Sequence, residues 1–148
     1  MIDKGKITRY LANIERQLED LANMPVPNAE FFLQRSNFER TKAIKYSLLN
    51  AVEDVIHISI HIVATLGLGK PKDASSALLL LGNANILPAS FAHQIVGMVN
   101  FRNKLVHEYL PDEFEADRLF ETLSQLDDFR RFSKHIVDFL EKQEPLGH

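Results

Sequence analysis

The sequence predicts an all-α protein, an antiparallel four-helix bundle with one short additional helix, in a single domain spanning residues 1–148. Three observations point there. Apolar residues recur at steps of three and four over long windows, and the two-residue alternation of a strand is rare. Helix-stopping Pro and Gly residues gather at a few places instead of being spread along the chain. A length of 148 residues with 45% hydrophobic residues suffices for one core without covalent staples.

Each element follows from its own pattern. Ile7, Tyr10, Leu11, Ile14, Leu18 and Leu21 form one apolar stripe, and Pro25 and Pro27 stop that helix. Asn28 suits the cap of a short segment reaching Leu33. A long central helix is expected from about Asn37 to Leu66, ended by Gly67 and Gly69. Asp73 or Ser75 can cap a short helix through Leu81, and 82-GNANILP-88 punctuates again. The next helix is expected to run unbroken from Ala89 to Tyr109, because Pro111 disfavours helical geometry only at Leu110. The last is expected from Asp112 or Glu113 to about Lys142, with acids at its positive end.

Composition narrows the function classes. With 17 basic and 20 acidic residues the formal net charge is −3, against a protein that coats nucleic acid by bulk electrostatics. There is no cysteine, which excludes disulfides and thiolate metal sites. The opening MIDKGKITRY lacks the apolar stretch of a secretion signal, and the apolar run 55-VIHISIHIVATLGLG-69 is short for a bilayer and carries two histidines. The expectation is a cytoplasmic protein without a membrane partner.

The polar cluster in 101-FRNKLVHEYLPD-112 is the candidate site. One helical row runs Phe91, Ile95, Met98, Leu105, Tyr109, with Arg102 in its missing slot. A second runs Ala92, Val96, Val99, Val106, Leu110, with Asn103 in its gap. His107 lies one turn beyond Asn103, and Arg102 flanks the pair by about 100° around the helix. A structural reading of Arg102 as an ion-paired arginine and Asn103 as an interhelical hydrogen-bonder competes with a functional one. A histidine near the negative end of a helix, beside a guanidinium and a carboxamide, suits RNA phosphodiester cleavage without a metal. Arg102 would neutralise the pentacoordinate transition state.

These residues carry a resemblance. Arg102-Asn103-x3-His107 matches the RNxxxH signature of the HEPN superfamily, and Arg102-x4-His107-x-Tyr109 resembles the extended motif of its HepT-like toxin branch. The block 97-GMVNFRNKLVHEYLPD-112, the segment LGLGKPKDASSALLLLGNANIL before it, and the helix order from Met1 to Glu141 are similar as well. The resemblance implies an all-α homodimer acting as a metal-independent endoribonuclease, with Arg102, Asn103 and His107 catalytic at a cleft between protomers and no cofactor. It also implies the toxin role in a type VII-like toxin–antitoxin pair, with assembly on a minimal nucleotidyltransferase antitoxin. That antitoxin would transfer AMP to Tyr109, placing bulk and negative charge within reach of Arg102.

Three further features have competing readings. Arg35, Arg40, Lys42 and Lys45 form a basic run; Arg40, Lys42 and Lys45, with Lys104 in the motif, are candidate RNA contacts, although such runs are commonly solvated helix faces. Glu53, His57 and His61 share one stripe, Asp54 precedes His57 by three, and the first helix offers Glu15 and Glu19. That arrangement suggests a rival function, a metal-binding four-helix bundle. His57 also departs from the HepT-like pattern, which often has an aspartate there, whereas His61 agrees with it. A third possibility is a noncatalytic HEPN module that only binds RNA or protein.

Overall fold

The computed structural model describes residues 1–106 and 110–143. Helix α1 spans Lys4–Ala22, capped by the Asp3 carboxylate, which accepts the Lys6 amide at 3.0 Å. A 3-10 turn, Ala29–Leu33, is capped by Asn28 and buries Phe31 and Phe32. A second short 3-10 turn, Arg35–Asn37, leads into α2, Phe38–Leu66, which Gly67 closes with a left-handed φ of 64°. Helix α3 is Ala74–Asn83, opened by a reciprocal capping box between Asp73 and Ser76. Then come α4, Ala89–Asn100, and α5, Arg102–Leu105. Helix α6 is Glu113–Ser124, capped by Asp112, and α7 is Asp127–Lys142. No strand occurs among the described residues.

Four rods make the bundle: α1, α2, α4 with α5, and α6 with α7. Helix α2 is the axis, contacted by α1, α3, α4, α5 and α7. Its Ile44, Leu48, Ile58 and Ile62 are fully buried, and α1 contributes Ile7, Ile14 and Leu18 to the same core. The stretch Arg35–Leu66 is long and apolar enough to cross a bilayer by length and composition, a capacity not expected of the 55–69 run; here 56% of its apolar window is buried inside the chain. Helix α3 lies so close to α4 that a Cβ at Gly82 would meet the Ala92 Cβ at 2.9 Å, so only glycine fits there.

Two expected helices are broken. The helix expected to run from Ala89 to Tyr109 leaves α geometry at Phe101, where the Lys104 amide bonds the Phe101 carbonyl three residues back at 2.9 Å. Gly97, Asn100 and Asn103 are weak helix formers, and all three lie on a side of the rod that faces solvent. The helix expected from Glu113 to Lys142 divides at Gln125 and Leu126. There the Thr122 and Ser124 hydroxyls bond back to the Arg118 and Phe120 carbonyls, at 2.8 and 3.1 Å, and the Gln125, Asp128 and Phe129 amides take partners three residues back.

Candidate active site

The two apolar rows diverge at the signature. In the first, Phe91, Ile95 and Leu105 are buried, Met98 is half-buried, and Arg102 between them keeps about a third of its side chain exposed. In the second, Ala92 and Val99 are buried, but Asn103 is exposed and Val106 and Leu110 are 54% and 38% exposed. The reason is local. Phe101 and Leu105 both point inward and pin the short turn α5, so Arg102, Asn103 and Lys104 must project outward between them. Arg118 of α6 secures the turn from behind: its guanidinium lies 5.3 Å from the Phe101 ring centroid and donates to the Gly97 carbonyl at 3.4 Å.

Arg102 is braced by the central helix. Its Nη1 stands 3.7 Å from Glu53 Oε1, while the other Glu53 oxygen is 4.0 Å from His57 Nε2. His57 Nδ1 is 3.9 Å from Asp54 Oδ1, and the imidazole lies against Tyr10 with centroids 5.3 Å apart. Asn13 donates to Asp54 Oδ2 and is itself approached by Gln17 Nε2 at 3.5 Å. Burial pushes the Asp54 carboxyl above its ordinary range, opposed by the Asn13 hydrogen bond and the His57 charge. The expected ion-pair role of Arg102 is therefore present, but its one loose carboxylate contact among the described residues occupies few of the five N–H donors of a guanidinium.

The stripe on α2 is thus engaged in bracing. Among the described residues no group of three or more His, Asp or Glu side chains is placed to hold a metal ion. His61 Nε2 accepts the Asp3 amide at 3.1 Å, Glu15 and Glu19 are exposed, and it is Asn13 of α1 that bonds the stripe, at Asp54, with Gln17 reaching only Asn13. In sequence Glu53 belongs to the candidate metal stripe, and its pairing with Arg102 is not legible there. The available signal was its shared stripe with His57, but nothing local links positions 53 and 102.

The basic run does not form one solvated face. Arg40 is exposed, lying 4.9 Å over the Phe31 ring, and Lys42 pairs with Glu39 at 3.2 Å. Lys45 is only 5% exposed, so it is an interior residue, unlike Lys104, which is exposed beside the motif. His107 and Tyr109 lie outside the described residues. Beside Arg102 and Asn103 a cleft of about 170 Å³ opens between α3 and the α4–α5 junction.

Known proteins share this arrangement of helices. The sequence model of the ribonuclease HepT-like family matches residues 7–136. The tRNA nuclease HepT of Aphanizomenon flos-aquae is 30% identical over 118 residues, covering 80% of this chain and 78% of that protein. A protein of Archaeoglobus fulgidus named as a candidate RNase is 29% identical over 147 residues, covering 93% and 97%. The tri-AMPylated HEPN toxin of Shewanella oneidensis, solved in complex with an MNT antitoxin, superposes with a TM-score of 0.78 at 24% identity, covering 93% of this chain and 99% of that one, and so has the same fold. With nearly its whole length matched by the family model, the chain belongs to the ribonuclease HepT-like family.

Proposed function

We propose that this chain is a metal-independent endoribonuclease and the toxin of a toxin–antitoxin pair, with Arg102, Asn103 and His107 as catalytic residues. The observation that carries it is the outward projection of Arg102 and Asn103, side by side at a polar cleft, in a chain of the HepT-like family. Relatives named as a tRNA nuclease and a candidate RNase support the substrate class.

The chemistry needs only these groups and water. The 2'-oxygen attacks phosphorus as its proton leaves, the bond from phosphorus to the 5'-oxygen breaks, and that oxygen takes up a proton. The products are a 2',3'-cyclic phosphate and a 5'-hydroxyl. His107 handles one of these protons, either accepting from the 2'-hydroxyl or donating to the departing oxygen, and water handles the other. Arg102 neutralises the charge gathering on the non-bridging oxygens, and Asn103 donates to one of them. Glu53 holds the guanidinium in place. Lys104 contacts a neighbouring phosphate, and Arg40 and Lys42, roughly 20 Å along α2 from Glu53, reach RNA farther from the cut.

The working unit is a homodimer. Tyr46 and Ile60, 66% and 42% exposed, share an outward stripe of α2 with Glu53 and His57, and Val106 and Leu110 extend the exposed apolar surface beyond Arg102. A nucleotidyltransferase antitoxin silences the toxin by transferring AMP to Tyr109, a role supported by the AMPylated toxin of the same fold. Purified protein should cleave RNA in the presence of chelator. Full activity in Arg102→Ala or His107→Ala would refute the assigned site, and chelator-sensitive cleavage the metal-free mechanism. Coexpression with a minimal nucleotidyltransferase should add AMP masses that Tyr109→Phe abolishes.

A further inference from the structure

We infer that the cleft beside Arg102 is a subsite for one unstacked, amino-bearing nucleobase of the RNA strand, read by Ser75 and Asn100. The inference rests on the nuclease reading above and deepens it. Size comes first. At about 170 Å³ the cleft is well below the ~300 Å³ at which pockets for drug-sized ligands begin, so it takes a group as large as one base and excludes a stacked pair.

Its lining decides what enters. Asn100 and Asn103 bring carboxamides, Ser75 a hydroxyl, Val99 an apolar floor, and the charged members are Arg102 and Asp73. The Asp73 carboxylate opposes a phosphate inside the cleft, whereas Arg102 attracts one at its edge. A strand bound with its scissile phosphate on Arg102 therefore turns an adjacent base, not an adjacent phosphate, toward Asp73 and Ser75. Single-stranded RNA is read in this way, by hydrogen bonds to the edges of splayed bases.

The polarity of the wall selects among bases. The Ser75 hydroxyl donates to Asn100 Oδ1, which leaves the Asn100 amino group as a donor and the Ser75 oxygen as an acceptor. An edge that offers an exocyclic amino group beside a ring-nitrogen acceptor complements that pair, as in adenine or cytosine. Guanine and uracil present the opposite order. The acceptor character of Asp73, one of whose oxygens takes the Ser76 amide at 2.8 Å, adds to the preference for an amino group. Both walls are firmly placed: the capping box holds the start of α3, and the Gly82–Ala92 approach locks α3 to α4.

The test uses single-stranded RNAs identical except for A, C, G, U or an abasic residue at each nucleotide flanking the cut. On one side of the cut, the full-length protein should favour A and C over G, U and the abasic residue by about tenfold in kcat/KM. Asn100→Ala and Ser75→Ala should bring those ratios close to one, and Asn100→Asp, which exchanges a donor for an acceptor, should turn the preference toward G, whose ring N–H and exocyclic amino group both donate. Loss of rate on all five RNAs at unchanged ratios would overturn the subsite, as would a wild-type preference that survives both alanine variants. Binding of the same RNAs, made uncleavable by a 2'-deoxy residue at the cut, gives a readout independent of turnover. If the protein cuts no RNA the nuclease reading falls, and equal binding of intact and abasic strands by the wild type would overturn the subsite on its own.

Discussion

Two apolar rods of this bundle meet different ends. Helix α2 runs without interruption from Phe38 to Leu66, although it is crowded with Val and Ile, residues no better for a helix than many in α4. The rod of α4 and α5 leaves α geometry after twelve residues. Burial separates them, because α2 is packed by neighbours on several sides, whereas the α4–α5 rod keeps one face open to solvent, at His93, Gln94, Gly97, Asn100 and Asn103. A packed helix tolerates poor local preferences; a half-packed one gives way where its weak formers gather. The chain has used the two accordingly. The long helix supplies a brace, Glu53, and the broken one presents the group that is braced, Arg102.

That contrast can be broken at either rod. The largest effect is expected in the brace: Ile58→Ala, at a fully buried site of α2, should cost about 2–5 kcal/mol in urea unfolding. Arg102→Ala should leave stability within about 0.5 kcal/mol of wild type yet reduce RNA cleavage by roughly 10²–10³-fold. A comparable loss of stability in both variants would erase the distinction between the rods.

A smaller effect tests the link between them. Glu53→Gln keeps the shape of the side chain and removes its charge, so the proposed positioning role predicts about a tenfold fall in kcat with little change in KM. Stability should scarcely move, since both partners are about one-third exposed and such pairs contribute about 0–1 kcal/mol. An unchanged kcat would show that Arg102 needs no brace.

The smallest effect is one of pH. The Asp54 carboxyl titrates higher in the folded chain than its ordinary 3.8, chiefly through burial. The folded state therefore holds that proton more tightly than the unfolded state, and stability falls as pH rises from below 3.8 through the folded value. Asparagine cannot ionise and can still accept from Asn13. Thermal unfolding should find Asp54→Asn more stable than wild type at pH 7, with the difference closing as the pH drops below 3.8; a constant difference would refute this account.

Much of the fold was legible residue by residue. Asp73 capped the short helix, Gly67 closed α2, Asn28 capped the first 3-10 turn, and the stripe from Ile7 to Leu21 lies in the core. Each of these depends on neighbours within a few positions. The breaks at Phe101 and at Gln125 were not legible, because both stretches keep an apolar period across the interruption. The burial of Lys45 was hidden for a similar reason: its charge matched the run around it, and only the packing of α2 took it inside.

The candidate site divides along the same line. Arg102 and Asn103 stood out in sequence as adjacent defects in two apolar rows, and their outward projection followed from Phe101 and Leu105 pointing in. Helices, caps and the motif are written locally, since hydrogen-bond ladders and helical faces repeat over three or four residues. The Glu53 brace, the Arg118 clasp on Phe101 and the cleft between Ser75 and Asn100 join positions from 17 to 49 residues apart. No periodicity spans such distances. Those contacts exist only because burial of the apolar stripes brings whole helices together, and that collective packing decides which polar side chains become neighbours.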